Sequence, residues 1–259
     1  MFNTIYQPVI AGLIQGLLEW LPISSSGQVM IFLASVLGLN LSMAYSLSIF
    51  LHLGTTFSAI IYFKSKIVRE LRGSKYLIKL WFYVTIASIA IGFPLYIAYF
   101  RFLESISLDI VSLSVGILLI LTGIVAFKVR GKFSTKSKLE IKDFLLLGFI
   151  QGLSVIPGVS RSGITITLLL WLGLKPEKAV ETSFLASIPV LLLASIYVAS
   201  VSTLSPMGFI ALITSFISGI ISISFMISLA KRLPFHYFAL AMGLIMVSMT
   251  GVAVFVFQS

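Results

Sequence analysis

Apolar residues run without interruption near 43–63, 76–99, 107–128, 179–201, 206–230 and 237–257. Each run reaches the roughly 20 residues an α-helix needs to cross a bilayer core, so the pattern predicts six spans. Pro94 and Pro189 fall inside two of the runs and predict kinks there. Two further apolar stretches, 7–37 and 143–173, differ because polar tips interrupt them. The first breaks at Leu21-Pro22-Ile23-Ser24-Ser25-Ser26-Gly27, the second at Pro157-Gly158-Val159-Ser160-Arg161-Ser162-Gly163. Each flank of about ten to fourteen residues makes roughly 15–20 Å of helix, too short to cross alone. Both stretches therefore predict re-entrant hairpins: a half-helix in, a polar tip, a half-helix out.

Composition turns this pattern into a fold class. Of 259 residues, 59% are hydrophobic and 10% charged, against roughly 45–50% and about 25% in soluble domains. The chain is predicted to be an all-α polytopic integral membrane protein forming one membrane domain over residues 1–259. The absence of Cys excludes disulfides and thiolate metal sites, and two histidines, His52 and His236, exclude a His-rich one. The first apolar segment carries Glu19 and follows no basic region, so no cleavable signal peptide is expected.

The two broken stretches belong to an internal repeat. Gly12-Leu13-Ile14-Gln15-Gly16-Leu17 matches Gly148-Phe149-Ile150-Gln151-Gly152-Leu153 at an offset of 136, which also pairs Ser24 with Ser160, Ser26 with Ser162 and Gly27 with Gly163. Repeat 1 covers about 7–128 and repeat 2 about 143–257, each a hairpin followed by three spans. A hairpin returns to its own side and three spans do not, so the second repeat must be inverted relative to the first. Inverted repeats with discontinuous helices build binding sites near the midplane.

The net charge of +10 fits this topology better than it fits nucleic-acid binding. With the N-terminus outside, the inside loops are 64–79, 128–142, 174–178 and 231–236, and they hold 16 of the 18 Lys and Arg residues. That asymmetry predicts both termini outside a plasma membrane, with the first hairpin entering from outside and the second from the cytoplasm. Gly-rich helices also permit close packing, compatible with a homodimer.

Very few ionisable residues lie at membrane depth, and Glu19 and Arg161 are the conspicuous ones, each at or beside a break. Such groups are costly there and read by default as functional; the alternative is an ion pair that merely pins the two halves together. Ser24, Ser25, Ser26 and Gly27 precede one half-helix, and Ser160, Ser162 and Gly163 precede the other. Half-helix N-termini with Ser hydroxyls and close-approach Gly make a site for phosphate or carboxylate, and Arg161 supplies a permanent charge. Glu19 would repel such an anion unless it acts as a base or holds a divalent cation that bridges to it. Gln15, one turn before Glu19, shares its face and could ligate that metal, orient a water or bridge helices.

Gln15-Gly-Leu-Leu-Glu19-Trp-Leu-Pro-Ile-Ser-Ser25-Ser-Gly27, together with Pro157-Gly-Val-Ser-Arg161-Ser-Gly-Ile-Thr165, resembles the undecaprenyl-pyrophosphate phosphatase, or bacitracin-resistance, family. The resemblance covers the whole chain and implies a membrane enzyme that hydrolyses a polyprenyl pyrophosphate to the monophosphate. It thereby implies recycling of the lipid carrier of cell-envelope glycan synthesis, with Mg²⁺ or Ca²⁺ and a site open to the outer face. It implies Glu19 in catalysis or metal binding, Gln15 as its metal-side partner, Ser25 as nucleophile, and Arg161 on phosphate. Ser160, Ser162 and Thr165 match polar positions of the second motif. One position departs: the family usually has His after Ser-Ser-Ser-Gly, and this chain has Gln28, which cannot exchange a proton near neutral pH. Either Glu19 transfers the proton, or His52 supplies an imidazole from the following span, or the activity is altered. A transporter or flippase for an anionic lipid or organic phosphate is the alternative function, with Glu19 as its coupling-ion site.

Overall fold

The computed structural model describes residues 4–129, 138–201 and 206–230, and beyond them only 237, 240–241, 243–245, 247–248 and 250. The apolar run 237–257 therefore falls largely outside the described residues, as do the basic stretches within 130–137 and 231–236.

Helices account for all the regular structure among the described residues. Five are long and apolar enough to cross a membrane: α3 (Leu41–Tyr62), α5 (Tyr76–Phe102), α6 (Leu108–Val129), α9 (Pro176–Val201) and α10 (Pro206–Ala230). Pro94 lies within α5 and Pro189 within α9, and neither ends its helix. The broken stretches form four short helices: α1 (Tyr6–Leu18), α2 (Ser25–Leu37), α7 (Ile141–Leu153) and α8 (Arg161–Trp171). At about 1.5 Å per residue the longest of these reach about 20 Å, short of a bilayer core. Pro22 and Pro157 lack the N–H a continuing helix needs, and Ser24 (φ 56°) and Gly158 (φ 101°) turn the chain in the left-handed region. Glycine is required at 158, because a Cβ there would lie 2.7 Å from the Val115 Cα.

One segment departs from the expected loop at 64–79. Lys64–Gly73 forms α4, a helix whose residues are all at least partly exposed, and Tyr76 already begins α5. Its alternation of charge with Ile67, Val68 and Leu71 suits a helix lying along a surface, which a search for apolar runs does not register. Lys66 pairs with Glu181 of α9. Burial lowers the Lys66 pKa below the ordinary lysine value, against the opposing pull of Glu181.

Packing follows a paired pattern. The short helix α1 lies along α10, and α7 lies along α5, while α3 runs between α2, α9 and α10. Glycines permit the first two contacts. A Cβ on Gly12 would approach Ala211 O to 2.3 Å and one on Gly16 would approach Ser215 O to 2.5 Å. In the other pair, a Cβ on Gly148 would approach Val84 O to 2.5 Å and one on Gly152 would approach Ser88 O to 2.9 Å. These glycines are thus spent on contacts within the chain. Trp20, fully buried beside the first break, packs on Phe184 of α9 with ring centroids 4.6 Å apart.

Candidate active site

The two breaks meet. Ser24 Oγ accepts a hydrogen bond from Gly158 N at 2.8 Å, and Ser162 Oγ donates to Leu21 O at 2.8 Å, so each tip braces the other. These bonds replace backbone partners that interrupted helices forgo, and they join residues 134 and 141 positions apart in sequence.

Glu19 stands at the centre. It closes α1, with its N–H bonded to Gln15 O at 2.9 Å, so its side chain lies one turn above Gln15 on the same face. Its Oε2 accepts from Gln15 Nε2 at 2.8 Å and from Ser25 Oγ at 2.6 Å, and lies 2.8 Å from His52 Nδ1. Its Oε1 accepts from Arg161 Nη2 at 2.5 Å. Side-chain exposure is 3% for Glu19 and 9% for Arg161, so this is a buried ion pair. The pairing that would pin the two halves is therefore made, yet it does not exhaust Arg161. Its Nε and Nη1 have no acceptor among the described residues, and the guanidinium carbon lies 5.1 Å from the Trp20 ring centroid. A cation held by one carboxylate and one ring face, with N–H groups left over, is prepared for a second anion.

His52, on α3, reaches the same carboxylate. Its Nδ1 also lies 2.5 Å from Gln15 Nε2. One ring nitrogen cannot donate to Glu19 and accept from Gln15 at once, so the tautomer decides which bond is made. Gln15 Oε1 is buried and has no donor among the described residues.

A cavity of about 380 Å³ opens beside these groups. Glu19, Ser24, Ser25, Ser26, His52, Ser160, Arg161 and Ser162 line it together with Ser88 and Gln151. Much of the rest of its wall comes from α5 and α9 and is mostly apolar or aromatic, including Ile89, Phe93, Tyr96, Val190, Leu193 and Tyr197. One side can take charge and the other hydrocarbon.

The remaining expected residues sit elsewhere. Gly27 and Gly163 do not line the cavity; Cβ atoms there would approach Val115 and Thr122 of α6, so their smallness serves packing. Thr165 is fully buried, donating to Arg161 O and bonding Ser183 Oγ at 2.6 Å, and has no wall on the cavity. Gln28 is absent from the lining as well. Ser160 caps α8 by accepting from Gly163 N at 3.2 Å. Sequence reasoning missed Gln151, Ser88, Trp20 and Tyr45, the last of which lines the cavity from α3 and donates its hydroxyl to Val155 O at 2.6 Å. The repeat offset pairs Gln151 with Gln15 and would have found it; Ser88, Tyr45 and Trp20 carry no signal above ordinary membrane-helix composition.

The chain resembles known proteins over most of its length. The family model described as bacitracin resistance protein BacA matches residues 8–247. A protein of Methanothrix thermoacetophila named undecaprenyl-diphosphatase is 36% identical over 252 residues, covering 95% of this chain and 96% of that one. One of Sulfurisphaera tokodaii with the same name is 35% identical, covering 91% and 93%. A third, of Saccharolobus solfataricus, is 39% identical over 202 residues, covering 72% and 70%.

Proposed function

The chain belongs to the bacitracin-resistance protein family, and on that premise we propose that it is a membrane phosphatase. It hydrolyses undecaprenyl-type pyrophosphate to the monophosphate and inorganic phosphate, recycling the carrier lipid of cell-envelope glycan synthesis. The observation that carries the reading is the hydrogen bond from Ser25 Oγ to Glu19 Oε2 at 2.6 Å, beside the unsatisfied N–H groups of Arg161. A hydroxyl already bonded to a carboxylate, facing a cation, is a nucleophile, a base and a charge acceptor in one cavity.

The terminal phosphate lies against Arg161 Nε and Nη1, and the lipid tail along the α5–α9 wall. Ser25 Oγ attacks the terminal phosphorus while its proton passes to Glu19, and the bond to the bridging oxygen breaks, releasing lipid monophosphate. Glu19 hands that proton to the departing lipid monophosphate; water then attacks the phosphoserine, giving a proton to Glu19 that returns to Ser25 Oγ as the phosphorus–Oγ bond breaks, and inorganic phosphate leaves. Direct attack by water on the bound substrate is the competing route. Positioning and charge stabilisation carry most of such a phosphoryl transfer. Gln28, off the cavity, takes no part; His52 holds Glu19 in place.

A divalent cation, Mg²⁺ or Ca²⁺, fits this donor set through one feature, the buried Gln15 Oε1 that lacks a donor beside a carboxylate. Glu19 and Gln15 would hold it, with phosphate oxygens and water as its remaining ligands. Bound there, it supplies charge neutralisation to the phosphates.

The matching pairs α1–α10 and α7–α5 support the inverted repeat. Under the exchange of Gly16 for Gly152, Ser215 O and Gly219 N are replaced by Ser88 O and Gly92 N. A pseudo-twofold axis in the membrane plane accounts for that correspondence, with the tips as re-entrant hairpins at midplane. The basic loops favour both termini outside and a cavity that opens to the outer face.

Phosphate release from a polyprenyl pyrophosphate by the purified protein in detergent tests the reading. Release should depend on Mg²⁺ or Ca²⁺ and vanish in Ser25→Ala and Arg161→Ala. No release by the wild type, or release unchanged in both variants, overturns it.

A further inference from the structure

Gln151 sits on the cavity wall with its amide half used. Nε2 donates to Ser88 Oγ at 3.1 Å, while Oε1 has no donor among the described residues although the residue is only 4% exposed. The Ser88 hydroxyl accepts this bond and itself donates to Gly148 O at 3.1 Å; having one proton, it must turn from that carbonyl to donate to Gln151 instead. Turning the amide over would satisfy Oε1 through Ser88 and leave Nε2 without an acceptor instead. In either orientation one end of the amide belongs to whatever fills the cavity, since a buried amide end left unpaired is costly.

The repeat explains why this amide is free. The offset of 136 pairs Gln151 with Gln15 and Val155 with Glu19. Gln15 donates to the carboxylate one turn on, whereas Gln151 has a valine there and no such partner. The second half has lost the acid and kept the amide.

Its position along the cavity assigns its ligand. Ser25, Glu19 and Arg161 mark the end where the terminal phosphate reacts. Gln151 precedes the second tip on α7, where Gly152 meets Gly92 of α5, beside the apolar residues Ile89 and Phe93. Ser25, Arg161, Gln151, Ser88 and these apolar residues line one cavity, so a ligand that extends from the reacting end to the apolar wall shares it with Gln151 and Ser88. We propose that Gln151, positioned by Ser88, binds the lipid-side phosphate of the pyrophosphate, the group that departs as lipid monophosphate. With Nε2 turned to the cavity and Ser88 donating to Oε1, the amide donates to a non-bridging oxygen of that phosphate. The inference rests on the phosphatase reading and divides its substrate between two subsites: Arg161 for the terminal phosphate, Gln151 for the one retained on the lipid.

Binding of two probes to the full-length protein in detergent, in a Ser25→Ala background that cannot turn over, separates the subsites. Farnesyl monophosphate probes the lipid-side subsite and inorganic phosphate the Arg161 subsite. Gln151→Leu should weaken farnesyl monophosphate about tenfold, the scale of one hydrogen bond to a charged group, and leave inorganic phosphate within about twofold. Ser88→Ala should act in the same direction to a smaller extent, and Arg161→Ala should abolish inorganic phosphate binding. Retained phosphate binding also shows that Gln151→Leu is folded. Unchanged farnesyl monophosphate binding in Gln151→Leu, or parallel loss of both ligands, overturns the assignment. Failure of the phosphatase reading is seen separately, as absence of phosphate release from polyprenyl pyrophosphate by the wild type.

Discussion

Replacing Glu19 separates the two tasks its carboxylate performs. In Glu19→Gln the side chain keeps its shape but has one acceptor oxygen in place of two. The carboxylate receives Gln15 and Ser25 on Oε2, with His52 Nδ1 2.8 Å away, and Arg161 on Oε1, so the new amide must turn its NH₂ toward one of these sets. If it faces Arg161, two donors oppose each other and a guanidinium whose side chain is 9% exposed loses its counter-ion. Removing one partner of a buried ion pair costs about 3–5 kcal/mol, whereas replacing both by apolar groups of similar size is often neutral. Glu19→Gln should therefore lose about that much stability, read from thermal unfolding in detergent followed by tryptophan fluorescence. The double variant Glu19→Leu/Arg161→Met should regain most of it. Activity should behave differently. In the proposed mechanism both variants lack the proton acceptor for Ser25, a contribution of about 10²–10⁴ in rate, and neither should release phosphate at more than a hundredth of the wild-type rate. A double variant as unstable as the sum of its single changes would show that the two charges are not coupled. Phosphate release by Glu19→Gln within tenfold of the wild type would remove Glu19 from the chemistry.

Two further outcomes test the fold. Gly16→Val and Gly152→Val should each destabilise by about 1–3 kcal/mol, because the added carbons meet Ser215 O and Ser88 O of the partner helices. Gly73→Ala, with open space around it, should be nearly neutral, and equal melting temperatures for all three would contradict the pairing of α1 with α10 and α7 with α5. Burial lowers the Lys66 pKa, so between that depressed value and the ordinary lysine range the unfolded chain holds more protons at this site than the folded one. The Lys66 contribution to stability should accordingly rise with pH across that window, and Lys66→Met should remove that part of the slope in melting temperature; an unchanged slope would place Lys66 in water.

The chemistry was legible where residues were costly. Glu19 and Arg161 stood out because few charges occur within apolar stretches, and the structure brings them to 2.5 Å. Ser25 and Gln15 were legible by proximity to Glu19 in the chain, one helical turn before it and just across the break. His52 was legible only as one alternative source of an imidazole, since its closeness to Glu19 depends on how α3 packs against the first break. Thr165, Gly27 and Gly163 share motifs with the site residues yet turn their backs on the cavity, because adjacent positions on a helix point in different directions. The helix α4 escaped a search for apolar runs because a surface helix needs only a narrow apolar stripe.

By itself the sequence determined the class of fold, the two breaks and the repeat. Those features depend on local quantities: the length of apolar runs, the missing N–H of proline, and residue identity at a constant offset. Tertiary structure alone decided which polar groups remain unsatisfied. Gln15 and Gln151 occupy matching places in the repeat, but only packing shows that one amide is committed to a carboxylate and the other is left with a free end beside Ser88. Hydrogen-bond satisfaction is a property of the neighbours a side chain finds in space, and those neighbours come here from distant parts of the chain.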